Sequence, residues 1–189
     1  MSNKVCIIDT ETGGLDPLKH SILSLGAVVL EDRRIVDEFE ILIKESIIIV
    51  TPEAINVNKI NITTLCYEGN PPFLAIDYFY DFVKKYFPKD KVILGGHNVN
   101  FDVGFLKRLW SLGVISEPFY DEIFSHRIID TCSILRFLIL SGRISLENAS
   151  LTDACKYFGI AVYEEERHTA IGDARLTAQL LIKMMELLK

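Results

Sequence analysis

Several features are missing from this sequence, and each absence removes a class of protein. No apolar stretch approaches the ~18 residues that a membrane-spanning helix needs. Met1 to Lys4 run straight into an apolar segment with no signal-peptide pattern, so a plain cytoplasmic protein with no membrane partner is expected. Only four cysteines occur, Cys6, Cys66, Cys132 and Cys155, and no two have C-x-x-C spacing. That argues against zinc and dithiol motifs and for small buried side chains in a reducing compartment. Internal repeats, low-complexity tracts and linker-like stretches are also missing. Positive charge is scarce: 20 Lys and Arg stand against 26 Asp and Glu, a net charge of −6. Tight, sequence-independent binding along a nucleic acid needs a basic surface, so that class is disfavoured. A protein that grips a few terminal nucleotides through metal ions is not, because two bound dications neutralise four carboxylates.

What is present suits one domain spanning residues 1–189, since 49% of the residues are hydrophobic and the length supports a proper core. A mean hydropathy of +0.25 hints at an interface. Val5 to Asp9 reads as a buried strand and Ser21 to Glu31 as a second. After a turn at 32–34, Ile35 to Ile43 alternates like an edge strand with one wetter face. Ile47-Ile48-Ile49-Val50 is expected to be buried against the sheet, or else to form a sticky patch such as a dimer contact. Pro52 to Asn58 and Thr63 to Tyr67 suggest short helical turns. A helix follows from Pro72 to Phe87, then a short strand at Val92 to Leu94 and a helix from Phe101 to Leu112. Ile128 to Asp130 reads as a strand, Leu151 to Phe158 as a helix, and Ala170 to Leu188 as a last helix with a wide apolar face. Glu164-Glu165-Glu166 reads as a solvated loop. The order implies an α/β domain with a mixed five-stranded sheet flanked by helices.

Five residues fit a two-metal phosphodiesterase site. Asp9 and Glu11 lie two apart on one strand, so they share a face. Gly13-Gly14 follows them and allows close backbone approach. Asp102 sits in the first turn of its helix, after His97 and Asn98. His168 lies in a polar loop, suited to taking a proton from a metal-bound water, and Asp173 lies near the start of the last helix. A set of four carboxylates and one histidine favours magnesium or manganese over zinc.

Asp9-x-Glu11, Asp102 within His97-Asn98-Val99-Asn100-Phe101-Asp102-Val103-Gly104-Phe105-Leu106, and His168-x-x-x-x-Asp173 occur in that order. Together they resemble the three motifs of the DEDDh 3′→5′ exonucleases, the DnaQ-like family to which the proofreading epsilon subunit of bacterial DNA polymerase III belongs. The resemblance covers about Lys4 to Ile182. It implies an RNase H-like fold and release of nucleoside monophosphates from 3′ ends. It also implies that Asp9, Glu11, Asp102 and Asp173 bind two divalent ions, with His168 as general base. Thr12 and Gly13 would contact the terminal nucleotide, Leu15 and Phe101 would pack around its base or sugar, and His97 and Asn98 would help line the site. The family often has a histidine where this chain shows Asn56-Val57-Asn58. The replicative relatives continue into a polymerase-docking tail, whereas Lys189 ends this sequence just after the last helix. A free-standing exonuclease, or one recruited to a polymerase by other surfaces, is therefore expected. Single-stranded DNA ends are the leading substrate, in proofreading or repair. RNA ends or short oligonucleotides are the alternative, and a non-catalytic binding module is the least favoured.

Overall fold

Alternation along the first strand sorts the core into two layers. In a computed structural model, which describes residues 4–58, 60–113, 118–165 and 167–187, β1 spans Lys4–Thr12. Cys6 and Ile8 join one hydrophobic cluster, and Val5 and Ile7 join another on the opposite face. Glu166 of the expected acidic loop and Leu188 at the expected end of the last helix lie outside the described residues.

β1 pairs antiparallel with β2 (Ile22–Glu31), and β2 pairs antiparallel with β3 (Arg34–Leu42). On its other side β1 runs parallel to β4 (Val92–Gly96), which runs parallel to β5 (Phe124–Asp130). The sheet is therefore mixed and five-stranded, in the order β3-β2-β1-β4-β5, with β3 as the expected edge strand. β1 runs to Thr12, so Asp9 and Glu11 both lie within regular strand. β5 is four residues longer at its start than expected, and the one-turn helix α5 (Tyr120–Ile123) precedes it. Neither was visible in the short polar stretch at 125–127.

Two short helices, α1 (Pro52–Asn58) and α2 (Ile62–Glu68), follow β3, as expected. The cluster containing Cys6 and Ile8 packs under α3 (Pro72–Tyr86) and α4 (Asn100–Gly113). Phe79 of α3 is fully buried there and stacks on Phe124, with Trp110 edge-on to both. On the other face α8 (Ala170–Glu186) lays Ala174, Ala178 and Leu181 against Val5, Ile7, Val28 and Leu30. A third cluster joins α8 to α6 (Thr131–Leu140) and α7 (Leu151–Tyr157). Asp130 caps α6 by accepting from the Cys132 and Ser133 amides.

Two expectations need correcting. The Ile47-to-Val50 segment is not a core element: Ile47 is 72% exposed and Ile49 46%. Its backbone is tied to a loop rather than to the sheet, through Ser21 N to Ile49 O and Thr51 N to Gly13 O. Hydrogen bonding, not apolar burial, places it on the surface. Cys66 is likewise exposed, on α2, whereas Cys6 and Cys155 are buried. No described helix is long and apolar enough to cross a membrane.

A buried ion pair closes the loop that follows β1. Arg108 of α4 donates to Glu45 at 2.9 and 2.6 Å, and to the carbonyl of Pro17 at 3.1 Å. Glu45, only 5% exposed, also accepts from the Ile22 amide. Removing one partner strands the other charge in a poorly solvated place. Arg108→Leu is expected to lower unfolding free energy by about 3 kcal/mol, the low end for a buried pair because Arg108 retains some solvent. Urea titration would check this; a loss under ~1 kcal/mol, as for a surface pair, would show the ion pair to be incidental.

Candidate active site

The same alternation that places Val5 and Ile7 beneath α8 turns Asp9 and Glu11 toward the N-terminus of that helix. Asp173 occupies its first turn, where the helix dipole favours a negative charge. Thr169 caps the helix, its hydroxyl accepting from Gly172 N at 3.1 Å. As a result, carboxylate oxygens of Asp9, Glu11 and Asp173 all lie within 4.8 Å of one another.

This convergence requires Gly26. Gly26 pairs with Asp9 across β1 and β2, and a Cβ there would stand 2.3 Å from the Ala170 carbonyl carbon. Only a residue without a side chain lets the start of α8 lie so close to the sheet. Sequence reading missed this, because a glycine inside an apolar strand carries no sign of what approaches it.

Asp102 behaves differently from the other three acids. It projects from α4, on the opposite layer, and is 4% exposed. Its Oδ1 accepts from both the amide and the hydroxyl of Thr10, at 2.9 and 2.8 Å. Thr10 belongs to the even set of β1, so Asp102 reaches the strand from the side away from α8. It stands outside the 4.8 Å group but near enough for its charge to bear on Asp9.

Burial and crowding raise the pKa of each of these acids. Desolvation is the first cause for each. It raises Asp9 well above the carboxylate range, with the charges of Asp102, Asp173 and Glu11 adding to the effect. Glu11 is pushed up to about 8 by burial and by Asp173 and Asp102. Asp102 rises to about 7 from burial, against the opposing hydrogen bonds of Thr10. Asp173 rises from burial, against the nearby Arg167. Buried carboxylates that crowd one another in this way suit divalent cations with oxygen ligands.

Arg167 was also missed. Its Nη1 donates to Asp173 Oδ1, and the two side chains are 12% and 13% exposed. The one available signal was a cation directly before His168. His168 itself adopts φ of +62°, a left-handed conformation uncommon outside glycine. It lines a cavity of about 350 Å³ with Glu11, Asn58 and Arg167.

On the other side of Glu11 and Asn58 lies a groove of about 510 Å³, lined by Thr12, Leu15, His20 and Phe101 among others. Leu15 is 84% exposed at its rim. Gly13 lies behind the groove, where a Cβ would meet the Ile49 carbonyl oxygen at 2.1 Å. Asn58, the last residue of α1, donates from Nδ2 to the Thr12 carbonyl at 3.0 Å and so fixes the end of β1. His97 and Asn98 do not line either cavity. His97 Nε2 donates to the Ala149 carbonyl at 2.8 Å, and its Nδ1 lies 2.9 Å from the Thr131 hydroxyl. That ring braces β4 against the segments around α6 and α7. Asn98 has φ of +65°, and its amide donates to Asp130 at 2.7 Å.

A mixed sheet in this order, with carboxylates brought together at the end of its central strand, is the RNase H-like fold. Residues 6–181 match the exonuclease family (RNase_T). The chain belongs to that family. It is 32% identical over 192 residues to the PolC-type DNA polymerase III of Thermotoga maritima, covering 97% of this chain and 12% of the polymerase. The PolC-type enzyme of Listeria monocytogenes is 29% identical over 181 residues, covering 96% of the chain and 11% of that protein. The chain thus spans about an eighth of the length of these relatives. Escherichia coli exonuclease I in complex with a dT13 oligonucleotide superposes with a TM-score of 0.77 at 15% identity, over 95% of this chain and 40% of the other. A zinc-bound form of the E. coli exonuclease I–single-stranded DNA complex gives 0.78 at 14% identity, over 98% and 41%. At these identities the structural likeness speaks for the fold.

Two outcomes follow from this geometry. Without divalent ions, folded Glu11 holds a proton between about pH 4.5 and 8 that the unfolded chain has released. The melting temperature of EDTA-treated protein should therefore fall as pH rises through that window, and Mn²⁺ should restore more of it at pH 8 than at pH 5. A melting temperature that climbs across the window without metal would contradict the crowded-carboxylate account. Separately, Gly26→Ala should push α8 from β2 and weaken Mn²⁺ binding by on the order of 10–100-fold, as loss of a supporting contact does. Calorimetry showing unaltered affinity would refute the role given to Gly26.

Proposed function

We propose that residues 1–189 form one exonuclease domain that removes nucleoside monophosphates from the 3′ end of single-stranded DNA. The observation that carries this reading is the convergence of Asp9, Glu11 and Asp173 within 4.8 Å, beside a groove lined by Thr12, Leu15 and Phe101. Two magnesium or manganese ions would lower the pKa of a water and neutralise charge on the attacking and leaving oxygens. Asp9, Glu11 and Asp173 would hold them together with Asp102, whose carboxylate Thr10 fixes by donating twice to Oδ1.

His168 takes the proton from the attacking water. Its cavity also contains Glu11, so it faces the acid cluster from the side opposite the groove. Leu15 and Phe101 present apolar surface to a terminal base or sugar. Thr12 and Gly13 stand against the terminal nucleotide at the strand end, their carbonyls held in place by Asn58 and Thr51. His97 and Asn98 would act on the site through the frame they hold, His97 on Thr131 and the Ala149 carbonyl and Asn98 on Asp130. A groove of this size takes one or two nucleotides, which agrees with the chain's negative charge. PolC-type relatives and DNA-bound structural neighbours favour DNA as substrate and proofreading or repair as the setting.

The test uses 5′-labelled single-stranded DNA and RNA of one sequence, with Mn²⁺ or EDTA. A DNA ladder shortening stepwise from the 3′ end, abolished by EDTA and by Asp9→Ala, is expected. Faster shortening of the RNA would reassign the substrate, and cleavage surviving Asp9→Ala would remove the site assignment. His168→Ala should cost roughly 10²–10⁴ in rate, and a loss of only a few-fold would exclude it as the base.

A further inference from the structure

The acid cluster already contains a cation of the protein's own. Arg167 donates to Asp173 Oδ1, and its charge also bears on Asp9 and Glu11. With its side chain 12% exposed, the guanidinium belongs to the site rather than to solvent. We propose that Arg167 is a displaceable counter-ion: it pairs with Asp173 until divalent ions enter the cluster, and their entry drives it off. This inference rests on the two-metal reading above and adds a residue that lies outside the acid set.

The competition is direct. An Asp173 oxygen that accepts the guanidinium hydrogen is not available to a metal in the same direction. A monocation beside a dication in a poorly solvated cluster also raises the energy of the loaded state. Without any cation, though, crowded carboxylates destabilise the fold or take up protons. A tethered guanidinium answers the second problem and a metal ion answers the first, so each state is served by a different cation.

The chain around Arg167 suits such an exchange. Its amide donates to the Tyr163 carbonyl at 3.1 Å, and it lies in a turn before α8 begins. Asp173 is fixed independently, since its own amide donates to Thr169 O at 3.0 Å within the capped start of α8. The long arginine side chain can therefore leave while Asp173 stays in place. An arginine required to orient Asp173 for metal binding is the opposing case, and it predicts the opposite change in affinity.

Calorimetric titration of Mn²⁺ into wild type, Arg167→Gln and Arg167→Lys separates the two, with melting temperatures recorded in EDTA and in saturating Mn²⁺. Arg167→Gln should bind Mn²⁺ at least about tenfold more tightly, one repelling charge having been removed. Its melting temperature should fall in EDTA and match wild type in Mn²⁺. Arg167→Lys keeps the charge without the planar fork, so it should stay within about threefold of wild type. If Arg167→Gln binds no more tightly than wild type, or more weakly, the counter-ion role is overturned while the metal site stands. If wild type binds no Mn²⁺, the two-metal reading fails and takes this inference with it.

Discussion

Carboxylates buried side by side repel one another, and the architecture around β1 is organised by that repulsion. Asp9 and Glu11 could not be separated, because both point to the α8 layer from alternate positions of one strand. Asp173 is added to them by the docking of α8. The fourth acid comes from the other layer and is held by two hydrogen bonds from Thr10, which lower the energy of its charged form. Dividing the four acids between two layers leaves three to converge closely and the fourth to approach from behind. The arrangement is costly without cations, which is why Arg167 and divalent ions are the groups to which it points.

Holding such a site together depends on contacts that do no chemistry. Gly26 permits the close approach of α8, and the Thr169 cap fixes where that helix begins. Arg108 and Glu45 tie α4 to the loop that presents Leu15, and Asn58 ties α1 to the end of β1. These are single, well-satisfied interactions placed where elements of different layers meet. They convert a packed sheet into a fixed spatial relation among acids that lie up to 164 positions apart in the chain, from Asp9 to Asp173.

Much of this was legible in the sequence, for identifiable reasons. The strand containing Asp9 and Glu11 has a period of two, so a shared face follows without any structure. The edge character of β3 followed from its alternation, and the long last helix from its apolar face. What stayed hidden depends on contacts between distant segments. Nothing near Asp102 reveals that Thr10 binds it, and nothing near Gly26 reveals α8. Ile47 to Val50 misled because four apolar residues resemble a core strand, whereas backbone bonds to Ser21 and Gly13 keep the segment at the surface. His97 and Asn98 sit next to the second motif in sequence, yet the ring of His97 is already engaged by Thr131 and Ala149.

The chain's acidity then ceases to be a puzzle. A polyanion repels a protein of net charge −6 over most of its surface. Two dications in the cluster would neutralise its four acids and so lift that repulsion only where Asp9, Glu11 and Asp173 converge. On the proposed reading, the end of a strand would be held at that spot and its body left unbound, because distant phosphates meet an acidic surface and are screened within about 10 Å at ordinary ionic strength. An acidic surface relieved at one metal-loaded point would thus give a physical basis for preferring ends, which a uniformly basic groove would not provide.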